Sequence, residues 1–474
     1  MIVSGTKWEE DLRRAGKSKY KALAKAIREG IVSGQMPAGY KLPPVRDLAF
    51  DVGMTPGTVA RAYKLLIDEG RLEAGVGRGT FVAGVRREPL PVVPGTPVIH
   101  DPVYDMHDRA HLLSPKMPEV GQADMIRMAM GAVAAETQAD QLLRYPNRDS
   151  DFPARLAFAK TLSPDQVGTF SLDDIVTSHG GQSGIIMILQ SVLRGPNPMI
   201  AVDELSYGGF RSAALVNRAT LVGIPWDDQG PLPDALALAI KEKGIQVFCT
   251  SAEVCNPTVL TTSVARRQEI ARVAERYNVH VLDDDCYRLM RTAYTGPSYR
   301  MLLPELGWYV TSPSKSVTAA LRIGFAIAPS GWGGALMRTA TFGSFGISRL
   351  VTDVYAHLMA QQGLDEVIDQ VKARIRQDIR AAVNVLGCYQ MNWSEDVPFF
   401  WLDLPDGWRA GEFCQAAEAA GVLVKSAEDF SLRDSRSVHS VRVAVNGLVP
   451  HSRFQDALMI LRDLLDNPPE RLVV

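Results

Sequence analysis

Residues 311–325 read TSPSKSVTAALRIGF, and the reading of the whole chain turns on them. A β-rich run at 308–311 leads into a turn of serines and proline that carries a single amine, Lys315. A second apolar run, 322–328, follows and opens on Arg322. Ser312, Ser314 and Arg322 together offer the hydroxyl and guanidinium donors that suit a phosphate. A lysine enclosed beside them loses basicity, and the neutral amine attacks carbonyl carbon. The alternative is an exposed loop lysine without chemistry.

Outward from this segment, β-rich runs at 175–178, 199–202, 220–225, 245–250, 279–282, 308–311 and 322–328 alternate with helical stretches. Seven such units predict an α/β body with a mostly parallel sheet covered by helices. A long helical run at 351–386 follows, and runs at 399–404, 422–425 and 441–445 predict a smaller α+β domain. Two strand ends carry further signals. Ser178-His179-Gly180-Gly181-Gln182-Ser183-Gly184 is a glycine-rich strand-to-helix turn, which offers N–H groups to a phosphate at Gly181, Gln182 and Ser183. Asp283-Asp284-Asp285-Cys286-Tyr287 directly follows 279–282, and three carboxylates there allow a metal site or an acidic turn.

The first fifth of the chain differs in charge. Residues 1–88 hold 16 Lys and Arg against 10 Asp and Glu, the remainder holds 35 against 43, and the whole carries −2. A basic head on an acidic body points the head alone toward a polyanion. Tyr20, Leu23, Ile27 and Ile31 are spaced as on a helix, which Gly34 and Pro37-Ala38-Gly39 end. A second helix follows Pro43-Pro44, and Thr55-Pro56-Gly57-Thr58 opens a third, with threonine as N-cap and proline at the first position. Two short strands, 71–74 and 80–82, flank the turn that holds Arg78. Three helices and a hairpin in this order make a winged helix-turn-helix. Thr55, Gly57 and Thr58 then stand at the start of the recognition helix, where base edges are read. Lys41 and Arg61 become phosphate contacts, with an ion pair inside the domain as the alternative for Arg61. The proline-rich segment 85–102 predicts a semi-rigid linker. The expected division is 14–84, 85–102, a large domain 103–390 and a small domain 391–468.

The runs Gly34-Gln35…Pro37-Ala38-Gly39…Leu42-Pro43-Pro44-Val45-Arg46-Asp47-Leu48-Ala49, Thr58-Val59…Arg61-Ala62-Tyr63…Leu66…Glu69-Gly70 and Gly77-Arg78-Gly79-Thr80-Phe81-Val82 resemble the GntR family of bacterial regulators. The resemblance makes Arg46 and Arg78 DNA contacts, against plain solvated charge. GntR recognition helices commonly begin Ser/Thr-Arg, whereas Thr55-Pro56 stands here.

Residues 103–465 resemble pyridoxal-phosphate enzymes of fold type I, the aminotransferase fold, and this body with a GntR head is the mark of the MocR subfamily. The resemblance implies that Lys315 is the Schiff-base lysine. It sets Asp284 against the pyridine nitrogen, Tyr287 and Asn256 on the phenolic oxygen, and Tyr207 on the ring, against a plain core tyrosine. Tyr145 would reach the phosphate across a dimer interface. Arg442, in Val441-Arg442-Val443-Ala444, would bind a carboxylate, against a plain edge-strand arginine. Val259 stands where the family's Asn-Pro-Thr-Gly carries glycine, and no glycine follows Tyr145 within 147–152. The implied protein is a homodimeric, pyridoxal 5'-phosphate-dependent regulator of operator DNA. Its amine or amino-acid effector displaces Lys315 and forms an external aldimine. The same motifs allow an active aminotransferase with an appended DNA-binding domain.

Hydrophobic residues make up 46% of the chain and charged ones 22%, and no uncharged apolar stretch is long enough to predict a membrane span. The first 25 residues are too charged for a secretory signal. Cys249, Cys255, Cys286, Cys388 and Cys414 are odd in number and lack metal-ligand spacing. They predict reduced thiols, a cytoplasmic protein and no metal.

Overall fold

The computed structural model describes residues 18–75, 79–83, 109–291, 295–432 and 438–469. The chain divides into two units, Met1–Asp101 and Pro102–Val474. Arg78 and the segment 85–102 lie outside the described residues.

In the first unit the helices are Lys19–Val32, Val45–Asp51 and Pro56–Asp68, followed by the antiparallel strands β1 (Leu72–Gly75) and β2 (Gly79–Val82). Thr55 caps the third helix, its Oγ1 accepting from the Thr58 N–H at 3.3 Å, and Pro56 begins the helix. Proline is tolerated there because its missing N–H would be unpaired in any case. Leu23, Ile27, Leu48, Val59, Leu66 and Val82 close one core between helices and hairpin. An exposed ion pair, Arg28–Glu69 at 2.8 Å, ties the first helix to the end of the third. Such a surface pair contributes under about 1 kcal/mol, so the apolar core carries the stability.

In the second unit, β3 (Ala110–His111) precedes a sheet of seven strands: β4 (Ile175–Ser178), β5 (Met199–Asp203), β6 (Thr220–Ile224), β9 (Ile245–Thr250), β10 (His280–Asp284), β11 (Gly307–Thr311) and β12 (Gly324–Ile327). A separate ribbon, β7 (Trp226–Asp227) and β8 (Gly230–Pro231), interrupts their numbering. The order across the sheet is β4-β12-β11-β10-β9-β5-β6, and β12 alone runs antiparallel to its neighbours. Ile200, Val202, Val247, Cys249 and Leu282 pack on one face, and Ala201, Phe248 and Val281 on the other. Burial on both faces explains the continuous apolar runs. Parallel strands also bring their carboxyl ends to one edge, where α/β sheets hold ligands.

Two expectations are corrected. The acidic run does not wait for the strand to end: β10 continues through Asp283 and Asp284, which sit opposite Tyr309 and Val310 of β11. The helical run at 351–386 is two helices, Arg349–Met359 and Leu364–Leu386. The first ends with Ala360 as its C-cap, and Gly363, at φ 86°, is the N-cap of the second; its left-handed backbone, which suits glycine, keeps the helix from running through.

A second sheet pairs β13 (Met391–Asn392), β14 (Phe399–Asp403), β17 (Ser440–Ala444) and β16 (Lys425–Ser426) in that order, while β15 (Val422–Leu423) pairs with β3. Its core joins Phe400, Phe413, Val441 and Leu458 to Leu112, Val371, Ile375 and Leu386. The division at residue 390 therefore cuts through one core. Long-range packing of residues 110–112 and of the 364–386 helix, invisible to local pattern, decides this.

Candidate cofactor site and DNA-binding face

The helix Gly181–Val192 starts directly after β4, so the N–H groups of Gly181, Gln182 and Ser183 lack carbonyl partners within the helix. A Cβ built on Gly180 would fall 2.6 Å from an Arg322 guanidinium nitrogen; the missing side chain is what lets that cation lie on the turn. Arg322 has φ 46°, a conformation that costs a side chain on the order of 1 kcal/mol and gathers at functional sites. Among the described residues its guanidinium has no hydrogen-bonded partner. Ser312 is buried, with its Oγ 3.9 Å from where a Gly181 Cβ would stand, and Ser314 is half-buried. Helix end, guanidinium and hydroxyl thus converge as an anion cradle.

Lys315 projects from the turn after β11, and its Nζ donates to the Pro115 carbonyl at 3.0 Å. Burial pushes its pKa down to about 8; the Arg442, Arg322 and Lys116 charges act the same way, and Cys286 opposes them. Asp284 is buried at the end of β10. Burial pushes its carboxyl up to about 6, while the Cys286 thiol, donating at 3.0 Å, and the Lys315 charge hold it down. Its neighbours turn elsewhere. Asp283 accepts from the Ala252 and Tyr299 N–H groups at 3.1 and 3.2 Å, and Asp285 from the Tyr309 hydroxyl at 2.9 Å. The three carboxylates serve separate partners, which is not the convergence a metal ion needs.

Tyr207 follows β5, and its hydroxyl is raised above the usual range by burial and by Asp284 and Cys286, so the ring belongs to the same cluster. A Cβ on Gly209 would collide with the Tyr207 ring and Gln182 Oε1. Gln182 donates to the Gly209 carbonyl at 2.8 Å, and its Oε1 is buried without a partner among the described residues. Ser183 sits at the start of the same helix, half-buried. Tyr287 is buried with its ring edge-on to Phe399 at 5.5 Å.

Arg442, on β17, is buried. It donates to Asn256 Oδ1 at 2.8 Å and to the Leu113 carbonyl, and its Nε has no partner among the described residues. Burial pushes its pKa down to about 10, which leaves it cationic at neutral pH. Val259 holds the glycine-like conformation at φ 66°, with its N–H on the Cys255 carbonyl at 2.8 Å. The loop that carries Asn256 therefore keeps its turn without the family's glycine. Tyr145 stands apart, exposed, with its ring 5.4 Å from Phe345.

On the head, Arg46, Thr55, Gly57 and Lys41 are exposed and Thr58 is half-buried. A Cβ on Gly57 would meet open space, so the backbone there is accessible. The segment around Lys41 extends the wing, Leu42 N–H donating to the Thr80 carbonyl at 2.8 Å. Arg61 forms no ion pair among the described residues. Its guanidinium lies 4.6 Å from the Tyr20 ring centroid.

Several contributors carried no usable sequence signal. The Leu113 and Pro115 carbonyls come from a motif-free strap, and Gly209 and Phe430, whose ring lies 4.8 Å from the Arg442 guanidinium, belong to no motif. Cys286 lay inside a recognised run but reads as a small apolar residue until the fold sets it between Asp284 and Ser312.

These features define a winged-helix DNA-binding head on a fold-type-I, aminotransferase-like body. The chain belongs to the aminotransferase class I and II family, whose model matches residues 118–452, and its residues 19–82 match the bacterial regulatory proteins, gntR family. It is 26% identical over 476 residues, 97% of each chain, to the uncharacterized HTH-type transcriptional regulator YdeF of Bacillus subtilis. It is 25% identical, over 89% of this chain and 93% of the other, to the vitamin B6 salvage pathway transcriptional repressor PtsJ of Salmonella typhimurium. The structure of an archaeal alanine:glyoxylate aminotransferase superposes with a TM-score of 0.68 at 19% identity, over 76% of this chain and 91% of that one, which establishes the shared fold. A GntR head on this body is the MocR arrangement, and pyridoxal 5'-phosphate is its cofactor. The residues fit that group: an unpartnered guanidinium on a glycine turn for its phosphate, a buried carboxyl for its ring nitrogen and an amine of lowered basicity for its aldehyde. When bound, it supplies an aldehyde that condenses with amines and a pyridine ring that draws electrons.

Proposed function

We propose that this chain regulates transcription by sensing an amino acid or related amine in its aminotransferase-like body. The observation that carries this reading is Arg442, a buried cation beside Lys315 and Asn256 with an unpartnered Nε, in a chain that also bears a complete DNA-binding head. Lys315 would hold the cofactor, Asp284 its ring nitrogen, Tyr287 and Asn256 its phenolic oxygen, and Tyr207 its face. Gly181, Gln182, Ser183, Ser312, Ser314 and Arg322 would hold its phosphate. Arg442 would take the acid group of the effector. In the head, Lys41, Arg46, Arg61 and Arg78 would meet phosphates while Thr55, Gly57 and Thr58 face bases. A ligand that binds two conformations unequally shifts DNA occupancy by that difference and no more.

A homodimer fits the exposed apolar residues Leu142, Leu143, Tyr145, Phe342 and Phe345, which a second copy would cover, bringing Tyr145 toward its partner's phosphate site. Two heads would then bind two half-sites. The cytoplasm, where DNA and reduced thiols coexist, is the proposed location; no described helix is long and apolar enough to cross a membrane.

The test is a visible absorption titration of the full chain with a panel of amines and amino acids, beside operator binding and with Lys315→Ala as control. A ligand that shifts the cofactor band, alters DNA affinity and loses both effects in the variant supports the reading. Sustained amino-group exchange with a keto acid, without effect on DNA, favours an aminotransferase with an appended head.

A further inference from the structure

We propose that the effector carries a second acidic group, held by Lys425 while Arg442 holds the first. This rests on the sensor reading above and narrows its ligand to an amino acid with an acidic side chain, or one with a sulfonate or phosphonate in place of the second carboxylate. Lys425 on β16 stands directly opposite Arg442 on β17. Residues in that register share one face of the sheet, and like charges there repel. Both cations also lie against one ring: the Arg442 guanidinium is 4.8 Å and the Lys425 Nζ 5.8 Å from the Phe430 centroid.

Neither cation has an acidic partner within ion-pair distance among the described residues. Arg442 donates to an amide oxygen and a backbone carbonyl, and the Lys425 amine makes no hydrogen bond to any described residue. Among the described residues Asp429 is the one carboxylate whose field reaches both, and it is exposed. Burial and the Arg442 charge push the Lys425 amine below the usual lysine range, and an anion placed between the two would favour both charged forms.

The pair borders the cofactor cluster. The Phe430 carbonyl accepts from the Ser206 N–H at 3.0 Å, one residue before Tyr207, and Ser431 bridges to Leu205. With the cofactor bound, Arg322 and the helix end would take its phosphate and Asp284 its ring nitrogen, which leaves Arg442 and Lys425 for the effector. An amino acid with one carboxylate satisfies Arg442 and leaves Lys425 repelled beside it. A diacid satisfies both.

The experiment is calorimetric titration of the cofactor-loaded full chain with glutamate against glutamine and aspartate against asparagine, pairs matched in size that differ in the second acid. The diacid of at least one pair should bind about tenfold tighter or better, the range of one charge-assisted contact. That ratio should fall toward one in Lys425→Gln and return in Lys425→Arg, with circular dichroism checking that each variant is folded. Equal binding within both pairs, or a ratio that survives Lys425→Gln, overturns the assignment of Lys425 while other amines that bind leave the sensor reading standing. If no amine or amino acid binds at all, both fall together.

Discussion

The Arg442 guanidinium donates to Asn256 Oδ1 at 2.8 Å across 186 positions of sequence, joining a strand of the smaller sheet to the loop that follows β9. One contact therefore couples the Asn256 loop to Arg442, so each reports on the other.

Asn256→Ala should act through Arg442. The guanidinium is buried and already has one nitrogen without a partner, so losing a second leaves a charge poorly compensated. A stability loss of about 2 kcal/mol is expected in denaturant unfolding, along with weakened binding of carboxylate-bearing ligands. Unchanged stability would mean that the guanidinium finds other partners.

Lys315 sets a pH window. Its amine lies near 8 in the folded protein against 10.5 ordinarily, so between those values the unfolded chain binds more protons. Its contribution to stability is therefore least favourable below pH 8 and improves as pH rises toward 10.5. The rate at which added pyridoxal 5'-phosphate becomes attached, trapped by borohydride, should climb through neutral pH and level off above about 8, following the neutral amine. Lys315→Ala should trap none, and a rate still climbing at pH 10 would contradict the lowered value.

Val259 offers a test of strain against packing. Its φ of 66° costs a residue with a Cβ about 1–2 kcal/mol, while its side chain is buried against Val254, Tyr287 and Phe399. Val259→Ala loses the packing and keeps the strain, whereas Val259→Gly loses the packing but sheds the strain. The glycine variant should be more stable than the alanine variant by about 1 kcal/mol in thermal or denaturant unfolding. The opposite order would show that the loop relaxes.

Gly209→Ala should damage the site without touching the cofactor. Its new methyl collides with the Tyr207 ring and Gln182 Oε1, so the ring must turn away. Cofactor affinity, followed by absorbance during dialysis, should fall at least tenfold, with a smaller loss of stability.

In the head, Arg46→Ala should weaken DNA binding evenly across sequences and lower the salt slope by about 1, the signature of one phosphate contact. Thr55→Ala loses the cap that accepts from Thr58 and should cost about 1 kcal/mol of stability by unfolding of the chain. A change of sequence preference in Arg46→Ala would move that arginine from backbone to bases.

Much of this was legible in order along the chain. The seven sheet strands lie where short β-rich runs announced them, because parallel strands buried on both faces are written as continuous apolar runs. The Thr55-Pro56 cap and the Gly180-Gly181 turn are equally local, each needing only neighbouring residues to state its geometry. The break at Gly363 was missed because one glycine and two glutamines did not outweigh the helical pattern on both sides. The extension of β10 through Asp284 was missed because carboxylates do not announce a buried strand.

By itself, the sequence determined the two kinds of domain and the strands of the sheet, since each follows from residue type and spacing within a few turns of chain. Only the tertiary structure decided what the candidate site residues touch. The strap of residues 113–115 comes to Lys315 and Arg442, Asn256 takes a guanidinium bond from β17, and Lys425 lands opposite Arg442. The reason is physical: hydrogen bonds and charge contacts act over a few ångströms of space, and the fold brings together residues up to hundreds of positions apart in sequence.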